Sequence, residues 1–209
     1  MSSTSKRTRT RTEILDVAWA LISEHGAGVS VAEIARAAGI SRQSVYLHFG
    51  SRGGLLIALV RRADERFEIR ERLFDSFQTP DPHRRLRAAI EVWLDFLPRI
   101  SPVARDLIRL RTTDPDAAAA WEDRMADLRT WLTQLIASID RDGALADGWS
   151  VQEAAEYLWA AMSMQVWSLL VDDCAWTQNR AGTALVHALQ AALLTPPARD
   201  LREPATRPI

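Results

Sequence analysis

The segment from Val29 to Phe49 constrains the fold more than any other part of the chain. It reads VSVAEIARAAGISRQSVYLHF, in which Ser30 and Glu33 match the capping box that starts a helix. Gly39 supplies the left-handed conformation that commonly ends a helix, and Ser41 can cap a second helix directly afterwards. Two short helices joined by a Gly-containing turn are typical of a helix-turn-helix that reads DNA.

The second helix of this pair has a polar outer face. Val45 and Phe49 recur four residues apart and predict its buried side. Arginine and glutamine can hydrogen-bond to base edges, whereas Ser, Tyr and His suit phosphate oxygens. The predicted DNA-binding residues of this helix and of the two cap positions are Ser30, Ser41, Arg42, Gln43, Ser44, Tyr46 and His48. An ordinary helical hairpin with a solvated polar face is the alternative.

These residues belong to a longer pattern. The segment from Thr12 to Leu56, about the first quarter of the chain, resembles the N-terminal domain of the TetR (tetracycline-repressor-like) family of bacterial transcription regulators. The positions that carry the resemblance are Ile14, Leu15, Ala18, Leu21, Val31, Ile34, Ala35, Gly39, Ile40, Ser41, Tyr46, His48, Phe49 and Ser51. The resemblance implies a homodimeric repressor that a small ligand releases from DNA.

The chain departs from the family pattern just after the second helix. The family usually has Lys followed by an acidic residue where this chain has Arg52 and Gly53, and Gly54 follows. Arg52 keeps a positive charge near a helix N-terminus, where backbone N–H groups can receive phosphate, so it joins the predicted DNA-binding residues. Each glycine costs about 1 kcal/mol of helix propensity relative to Ala. The pattern predicts a loosened helix start that lets the backbone approach DNA, or a frayed cap without consequence.

Charge is divided unevenly along the chain. Residues 1–62 contain nine basic and four acidic residues, a net of +5, whereas the remainder carries −6. A basic N-terminal part on an acidic body suits a protein in which that part alone meets phosphates. Residues 1–11 are predicted to form a flexible basic arm, ahead of a helix that begins at a Thr10 cap. Such an arm can enter the minor groove, or it is only a solubilising tail.

Composition limits the remaining classes. With 209 residues, 47% of them hydrophobic, the chain can bury a substantial core. Its single cysteine, Cys174, excludes an internal disulfide and fits a reducing compartment. The longest apolar stretch, residues 157–171, is short of a membrane span, and with no readable signal peptide the sequence predicts a cytoplasmic protein without membrane contact. Scattered histidines and the lack of a phosphate loop or nucleophile motif predict no enzyme, metal or cofactor.

Caps and prolines predict an all-α fold. Residues 12–56 form a three-helix DNA-binding domain, residues 57–194 a helical bundle for ligand binding and dimerisation, and the proline-rich residues 195–209 a disordered tail. The predicted bundle helices run from Ser51 to Phe74 and over residues 83–97, 102–112, 115–140, 150–173 and 177–194.

The last two predicted helices each carry a stripe of small and apolar residues. A stripe of this kind either contacts a second subunit or faces the core of its own subunit. The resemblance implies a four-helix interface built from these helices. The residues predicted for the dimer interface are Leu158, Met162, Leu169, Leu185 and Leu189.

Seven of the eight tryptophans lie in the predicted bundle. The resemblance implies an internal cavity there, and aromatic and methionine walls suit a flat or apolar small molecule. The residues predicted to bind it are Trp93, Phe96, Arg109, Trp121, Trp131, Met162 and Trp167. Core packing is the alternative for any one of them, and Arg109 can instead be solvated or pair with Asp106 or Asp95.

Together these features predict a sequence-specific, homodimeric DNA-binding regulator. Two-fold symmetry predicts a palindromic operator. The resemblance implies release by a ligand, and the aromatic residues of the body suit a small apolar or aromatic one. The alternative is a DNA-binding dimer whose body binds a protein partner or has no effector. A cavity in the body favours the first hypothesis, and a filled core favours the second.

Overall fold

The computed structural model describes residues 3–25 and 28–196, with side chains for all of these except residues 3–9, 116 and 120. This part of the chain is all-α, as predicted, with helices joined mostly by short loops. The helices are α1 (Ser3–His25), α2 (Val31–Ala37), α3 (Arg42–Phe49), α4 (Arg52–Arg66), α5 (Ile69–Phe77), α6 (Pro82–Leu110), α7 (Pro115–Arg141), α8 (Val151–Ala161), α9 (Met164–Ser168) and α10 (Gln178–Leu193). We refer to α1–α3 as the head and to α5–α10 as the body, with α4 joining them.

Short-range signals set the boundaries of α2 and α3. The Ser30 hydroxyl accepts the N–H of Glu33 at 3.2 Å, and the Glu33 carboxylate accepts the N–H of Ser30 at 2.7 Å. Gly39 has a φ of 67° between the two helices. The Ser41 hydroxyl caps α3 by accepting the N–H of Ser44 at 3.1 Å. The predicted capping box, turn and second cap are therefore confirmed.

The head is packed directly on the body. Apolar residues of α1–α4 form one core, and three body residues complete it: Val103 and Leu107 of α6 and Ala117 of α7. A second core fills the body around α6, against which α7 packs residues such as Leu135 and Ile139. Since α4 contributes to the first core and contacts α5, α6 and α7, it is the structural link between the two regions.

The long helix α6 replaces the two helices that were predicted at 83–97 and 102–112. It continues through Pro98 and Pro102, although a proline inside a helix costs about 3 kcal/mol. Leu97, Ile100 and Val103 are all buried, so the apolar stripe of α6 continues across both prolines. Burial of this stripe in the two cores offsets the lost backbone hydrogen bonds.

Two other predicted helices are broken. The range from Ser51 to Phe74 is divided at Glu68, whose φ of 50° is left-handed. The range 150–173 is divided at Ser163, which is extended and accepts the N–H of Val166 at 3.3 Å to cap α9. A π-helical turn over residues 169–173 follows α9. The predicted positions of α7 and α10 are correct to within one residue at each end.

Helix α1 begins at Ser3 and not at Thr10, so residues 3–11, predicted as a flexible arm, form its first turns. The Arg11 guanidinium donates to the carbonyl of His48 and lies over the ring of Phe49 at 4.3 Å. Arg11 therefore fastens α1 to α3. Residues 1–2 of the predicted arm and residues 197–209 of the predicted tail lie outside the described residues, whereas Thr195 pairs with the Ala144 carbonyl at 3.0 Å.

Candidate nucleic-acid interface and ligand cavity

Helix α3 presents a polar surface to solvent. Val45 and Phe49 are 1% and 9% exposed and hold the helix on the core of the head. Arg42 and Gln43 are exposed in its first turn, and Tyr46 is exposed one turn later. Three of the predicted DNA-binding side chains are thus brought together on one accessible face, near the end of the helix that usually contacts bases.

Leu47 is an exposed apolar residue on this same helix. It is 71% exposed, between Tyr46 and the half-buried His48. An apolar side chain on a DNA-reading helix can contact the methyl group of thymine. The prediction from sequence missed Leu47, although its position out of phase with Val45 and Phe49 was a readable signal.

Ser30 and His48 make contacts within the head. The Ser30 hydroxyl donates to the Glu33 carboxylate at 2.6 Å, in addition to its role as cap. These bonds from the Ser30 side chain and backbone lower the pKa of Glu33. His48 lies 6.2 Å from the ring of Phe49 and accepts a hydrogen bond from Arg11 at its carbonyl. These contacts give both residues a structural role in holding the helix-turn-helix together.

Arg52 contacts the body, and this corrects its predicted role as a phosphate ligand. Its Nε donates to Oδ2 of Asp106 at 3.1 Å, and its Nη1 donates to the Val29 carbonyl at 2.7 Å. The Asp106 side chain is only 2% exposed, and its second oxygen accepts from Arg109 at 2.5 Å. Arg52 and Asp106 therefore form a charged junction between the start of α4 and the middle of the body.

The two glycines after Arg52 are explained by packing. A Cβ atom on Gly53 would lie 2.6 Å from Cβ of Ala117, and one on Gly54 would lie 2.1 Å from the carbonyl oxygen of Phe49. The Ser51 hydroxyl caps α4 by accepting the N–H of Gly54 at 3.0 Å. The predicted loosened or frayed helix start is wrong: α4 begins with a complete cap, and its glycines let it approach α3 and α7.

The body contains a partly open cavity of about 280 Å³ between α4, α6, α7 and the α8–α9 segment. The Trp93 indole N–H donates to the carbonyl of Met162 at 2.9 Å, and its ring lies 5.9 Å from that of Phe96. Met162 is the last residue before the break at Ser163. The aromatic and methionine side chains that line the cavity are Trp93, Phe96, Trp121, Met125, Trp159, Met162 and Met164.

Four of the seven predicted ligand-binding residues line this cavity, namely Trp93, Phe96, Trp121 and Met162. The other three, Trp131, Trp167 and Arg109, do not line it. Trp131 packs edge-on against Phe77 at 5.3 Å in a groove between α5 and α7. Trp167 lines a groove between α6 and α10. Arg109 is 70% exposed and pairs with Asp106, as in the alternative considered for it.

The missed cavity residues fall into two kinds. Met125 follows Trp121 by four residues, a spacing that places both on one face of a helix. That signal was present in the sequence. Trp159 and Met164 face the same cavity because the chain breaks at Ser163, and no periodicity across the break predicts this arrangement.

Three of the five predicted dimer residues are buried within the subunit. Leu158, Met162 and Leu189 are 0%, 3% and 1% exposed, so they belong to the core of their own subunit, which was the alternative. Leu185 is half-buried, and Leu169, in the π-helical turn after α9, is 55% exposed. The predicted stripe does not form one continuous face.

Residues 3–25 and 28–196 contain neither a metal-binding cluster nor a helix suited to cross a membrane. The described His, Cys, Asp and Glu side chains include no group of three that could hold a metal ion. None of the helices in this part of the chain is both long enough and apolar enough to cross a membrane.

Comparisons with known proteins agree with this geometry. The exposed α3 and the helical body define a helix-turn-helix regulator. Residues 14–59 match the family model for bacterial regulatory proteins of the tetR family, and the fold of the described chain is that of this family. Proteins of this family bind DNA and dimerise, and they are generally not enzymes.

Several solved structures share the fold. A transcriptional regulator from Saccharomonospora viridis in complex with choline is 20% identical, with a TM-score of 0.74 over 90% of this chain and 100% of that one. NalD from Pseudomonas aeruginosa, the secondary repressor of the MexAB-OprM multidrug efflux pump, is 24% identical. Its TM-score is 0.65, over 94% of this chain and 99% of NalD. SmeT in complex with triclosan is 22% identical, with a TM-score of 0.67 over 96% of this chain and 98% of SmeT. None of the curated protein sequences is a significant match.

Proposed function

We propose that this protein is a homodimeric repressor that binds a palindromic operator and is released when a small apolar or aromatic ligand enters the body. The observation that carries the proposal is the cavity of about 280 Å³, walled by aromatic and methionine side chains. A filled core would have favoured a body that binds a protein partner or has no effector. Acting on chromosomal DNA, such a repressor works in the cytoplasm.

The path from ligand to DNA is short. Val60 of α4 lines the cavity, and α4 begins three residues after α3 ends. A ligand that displaces α4 therefore also displaces α3, and with it the distance between the two α3 helices of a dimer. The ligand must bind the DNA-free arrangement more tightly than the DNA-bound one, because equal affinity for both would shift nothing.

The chemistry of the walls favours a neutral or anionic aromatic ligand. Two proteins with this fold were solved with choline and with triclosan. Aromatic walls can stack on a flat ring or hold a quaternary ammonium by cation–π contact. Arg111 and Arg124 also line the cavity here, and their positive charges disfavour a cation inside it.

The dimer is proposed to form on the side of the body where apolar residues remain exposed near α8 and α9. Tyr157 is 43% exposed and Leu169 is 55% exposed. Two-fold pairing there places two copies of α3 on one face of DNA, so the half-sites of the operator lie one helical turn or a multiple apart.

Selection of duplex DNA from a random pool by the purified protein tests the first part of this proposal. An enriched palindrome is expected, and Arg42→Ala or Gln43→Ala should each relax preference at one position of a half-site by about 1–3 kcal/mol. Tyr46→Phe should weaken binding to all sequences alike. Arg141→Ala removes the same charge from an exposed position at the end of α7 and serves as control. Unchanged sequence preference in both α3 variants would overturn the assignment.

Release by a ligand tests the second part, with triclosan as the first probe. Wild-type protein should leave its operator as triclosan is added. Met125→Trp fills the cavity and should bind the operator normally without responding, whereas Glu122→Trp adds the same side chain at an exposed position of α7 outside the cavity. Equal responses from the two variants would place the ligand elsewhere.

A further inference from the structure

Asp64 of α4 carries a buried carboxylate oxygen without a donor. Its side chain is 5% exposed, and one oxygen, Oδ2, pairs with the guanidinium of Arg124 on α7. The other, Oδ1, is buried and has no hydrogen-bond partner among the described residues. A buried acceptor left in this state costs about 1–3 kcal/mol, so it calls for a physical explanation. Burial also raises the pKa of Asp64 to about 6.

The carboxylate lies at an amphipathic groove. This groove, of about 450 Å³, runs between α4, α5 and α7, and Ile57, Val60 and Leu107 form its apolar part. Its carboxylates outnumber its guanidinium groups by five to three, a net charge of −2. The carboxylates are Asp64, Glu65, Glu71, Asp123 and Asp127. A groove with this charge attracts cations and repels anions.

Arg124 separates this groove from the aromatic cavity, since it lines both. Burial lowers the pKa of Arg124, so its charge is held in the interior at a cost in free energy. Asp64 stabilises that charge, and so does Asp127, which is three residues further along α7. Asp127 also pairs with Arg70 at 3.6 Å, but both of those side chains are exposed, so Arg124 has a second carboxylate toward which it can turn.

We propose that the groove binds an organic ammonium ion with an apolar tail. The ammonium group donates to the Asp64 carboxylate while Arg124 turns to Asp127, and the tail lies on Ile57, Val60 and Leu107. Because Oδ1 is shielded from solvent, the ammonium reaches it only with that movement of Arg124. A primary ammonium has three donors, enough for Oδ1 and for a carboxylate at the rim.

The groove and the cavity would then select opposite charges in two neighbouring spaces. Ammonium binding itself does not depend on the repressor role. Only its consequence, a change in operator affinity through α4, rests on the proposed function. Binding is therefore measured first on the full chain without DNA.

The probe is hexylammonium chloride, with 1-hexanol as its neutral counterpart, titrated at constant ionic strength and observed by ligand NMR. Hexylammonium should bind at least about tenfold more tightly than hexanol, and Asp64→Asn should remove that advantage. No binding of hexylammonium to the wild type, or equal binding of the two probes, overturns the proposal.

Asp64→Asn removes the counter-ion of a buried arginine and can unfold the body. A second pair of variants is therefore needed that leaves the Asp64–Arg124 ion pair intact. Glu71→Lys changes an exposed residue at the rim and should weaken hexylammonium about two- to fivefold. Glu122→Lys makes the same charge change on α7 outside the groove and should leave binding unchanged. Equal effects of the two lysines overturn the proposal. An operator affinity unmoved by bound hexylammonium supports the groove as a site and removes only its regulatory consequence.

Discussion

The head and the body set the boundaries of their helices in different ways. In the head and in α4, which follows it, the helices α2, α3 and α4 begin directly after Ser30, Ser41 and Ser51, each of which caps the helix that follows it. In the body, α6 continues through a serine–proline pair that resembles a helix start, and α8 ends at a position that periodicity does not mark. Local signals thus decide the head, whereas packing between distant segments decides much of the body.

This difference determines what can be inferred about function in each region. The exposed face of α3 follows from two buried residues, Val45 and Phe49, in the same helix. The cavity of the body depends instead on where α4, α6, α7 and α8 meet, and on one break at Ser163. The difference between local signals and long-range packing can be tested by substitution. The positions are the Arg52–Asp106 junction, two carboxylates and the helix caps.

The largest effect is expected at the junction. Asp106→Ala leaves Arg52 partly buried without its carboxylate and should lower the free energy of unfolding by about 3 kcal/mol. Asp123→Ala also removes an aspartate that pairs with an arginine of α4, but both partners of that pair are about two-thirds exposed. Its cost should be below about 1 kcal/mol. Urea unfolding measures the free energy of unfolding of both variants. Equal decreases would show that the junction has no special role in stability.

Two carboxylates, Asp64 of α4 and Glu33 of the head, should give opposite pH dependences of stability. The folded-state pKa of Asp64 is raised to about 6, so its contribution to stability is present below about pH 4 and lost as the pH rises through 6. The effect is at most about 3 kcal/mol. The pKa of Glu33 is lowered, so its contribution is present above its ordinary pKa of 4.5 and lost as the pH falls through the lowered value.

Urea unfolding between pH 3.5 and 7 of the wild type, Asp64→Asn and Glu33→Gln separates the two carboxylates. The stability difference between wild type and Asp64→Asn should decrease with rising pH, while the difference for Glu33→Gln should increase. The same sign for both would contradict the environments described for them.

The close approach of α4 to α7 predicts the next effect. Gly53→Ala places a methyl group 2.6 Å from Cβ of Ala117 and should lower the free energy of unfolding by about 2 kcal/mol. Gly182→Ala is the matched control, because a Cβ on this glycine of α10 would lie 3.8 Å from its nearest neighbour, Leu94. Helix propensity should make that variant more stable by up to about 1 kcal/mol. A stabilising Gly53→Ala would mean that α4 and α7 separate easily.

Residues on either side of the junction show why prediction from the sequence succeeds or fails. Ser30 and Glu33 are three residues apart, and a capping box needs no other part of the chain. Gly53 is explained only by Ala117, sixty-four residues away in the sequence. Arg52 looks like a phosphate ligand from its position before a helix, and its partner Asp106 comes from α6.

The tryptophans make the same point for the cavity. Trp121 and Trp131 both lie on α7, ten residues apart. Ten residues correspond to about 2.8 turns, so the two side chains lie about 80° apart around the helix. The structure gives them different surroundings, because α5 covers Trp131 through Phe77 while Trp121 faces α6 and the cavity. Which neighbour covers a helical face is a tertiary property, and the pattern along one helix does not contain it.

The smallest expected effects come from the caps, which test the comparison most directly. Ser41→Ala should cost about 1 kcal/mol and weaken operator binding, since it loosens the turn that carries Arg42 and Gln43. Ser163→Ala should cost less, because the Trp93–Met162 hydrogen bond still holds the break when the cap is removed. The far-UV circular dichroism of Ser163→Ala should equal that of the wild type. A gain of helical signal would mean that α8 and α9 have fused and that a local cap, not packing, sets this boundary of the body.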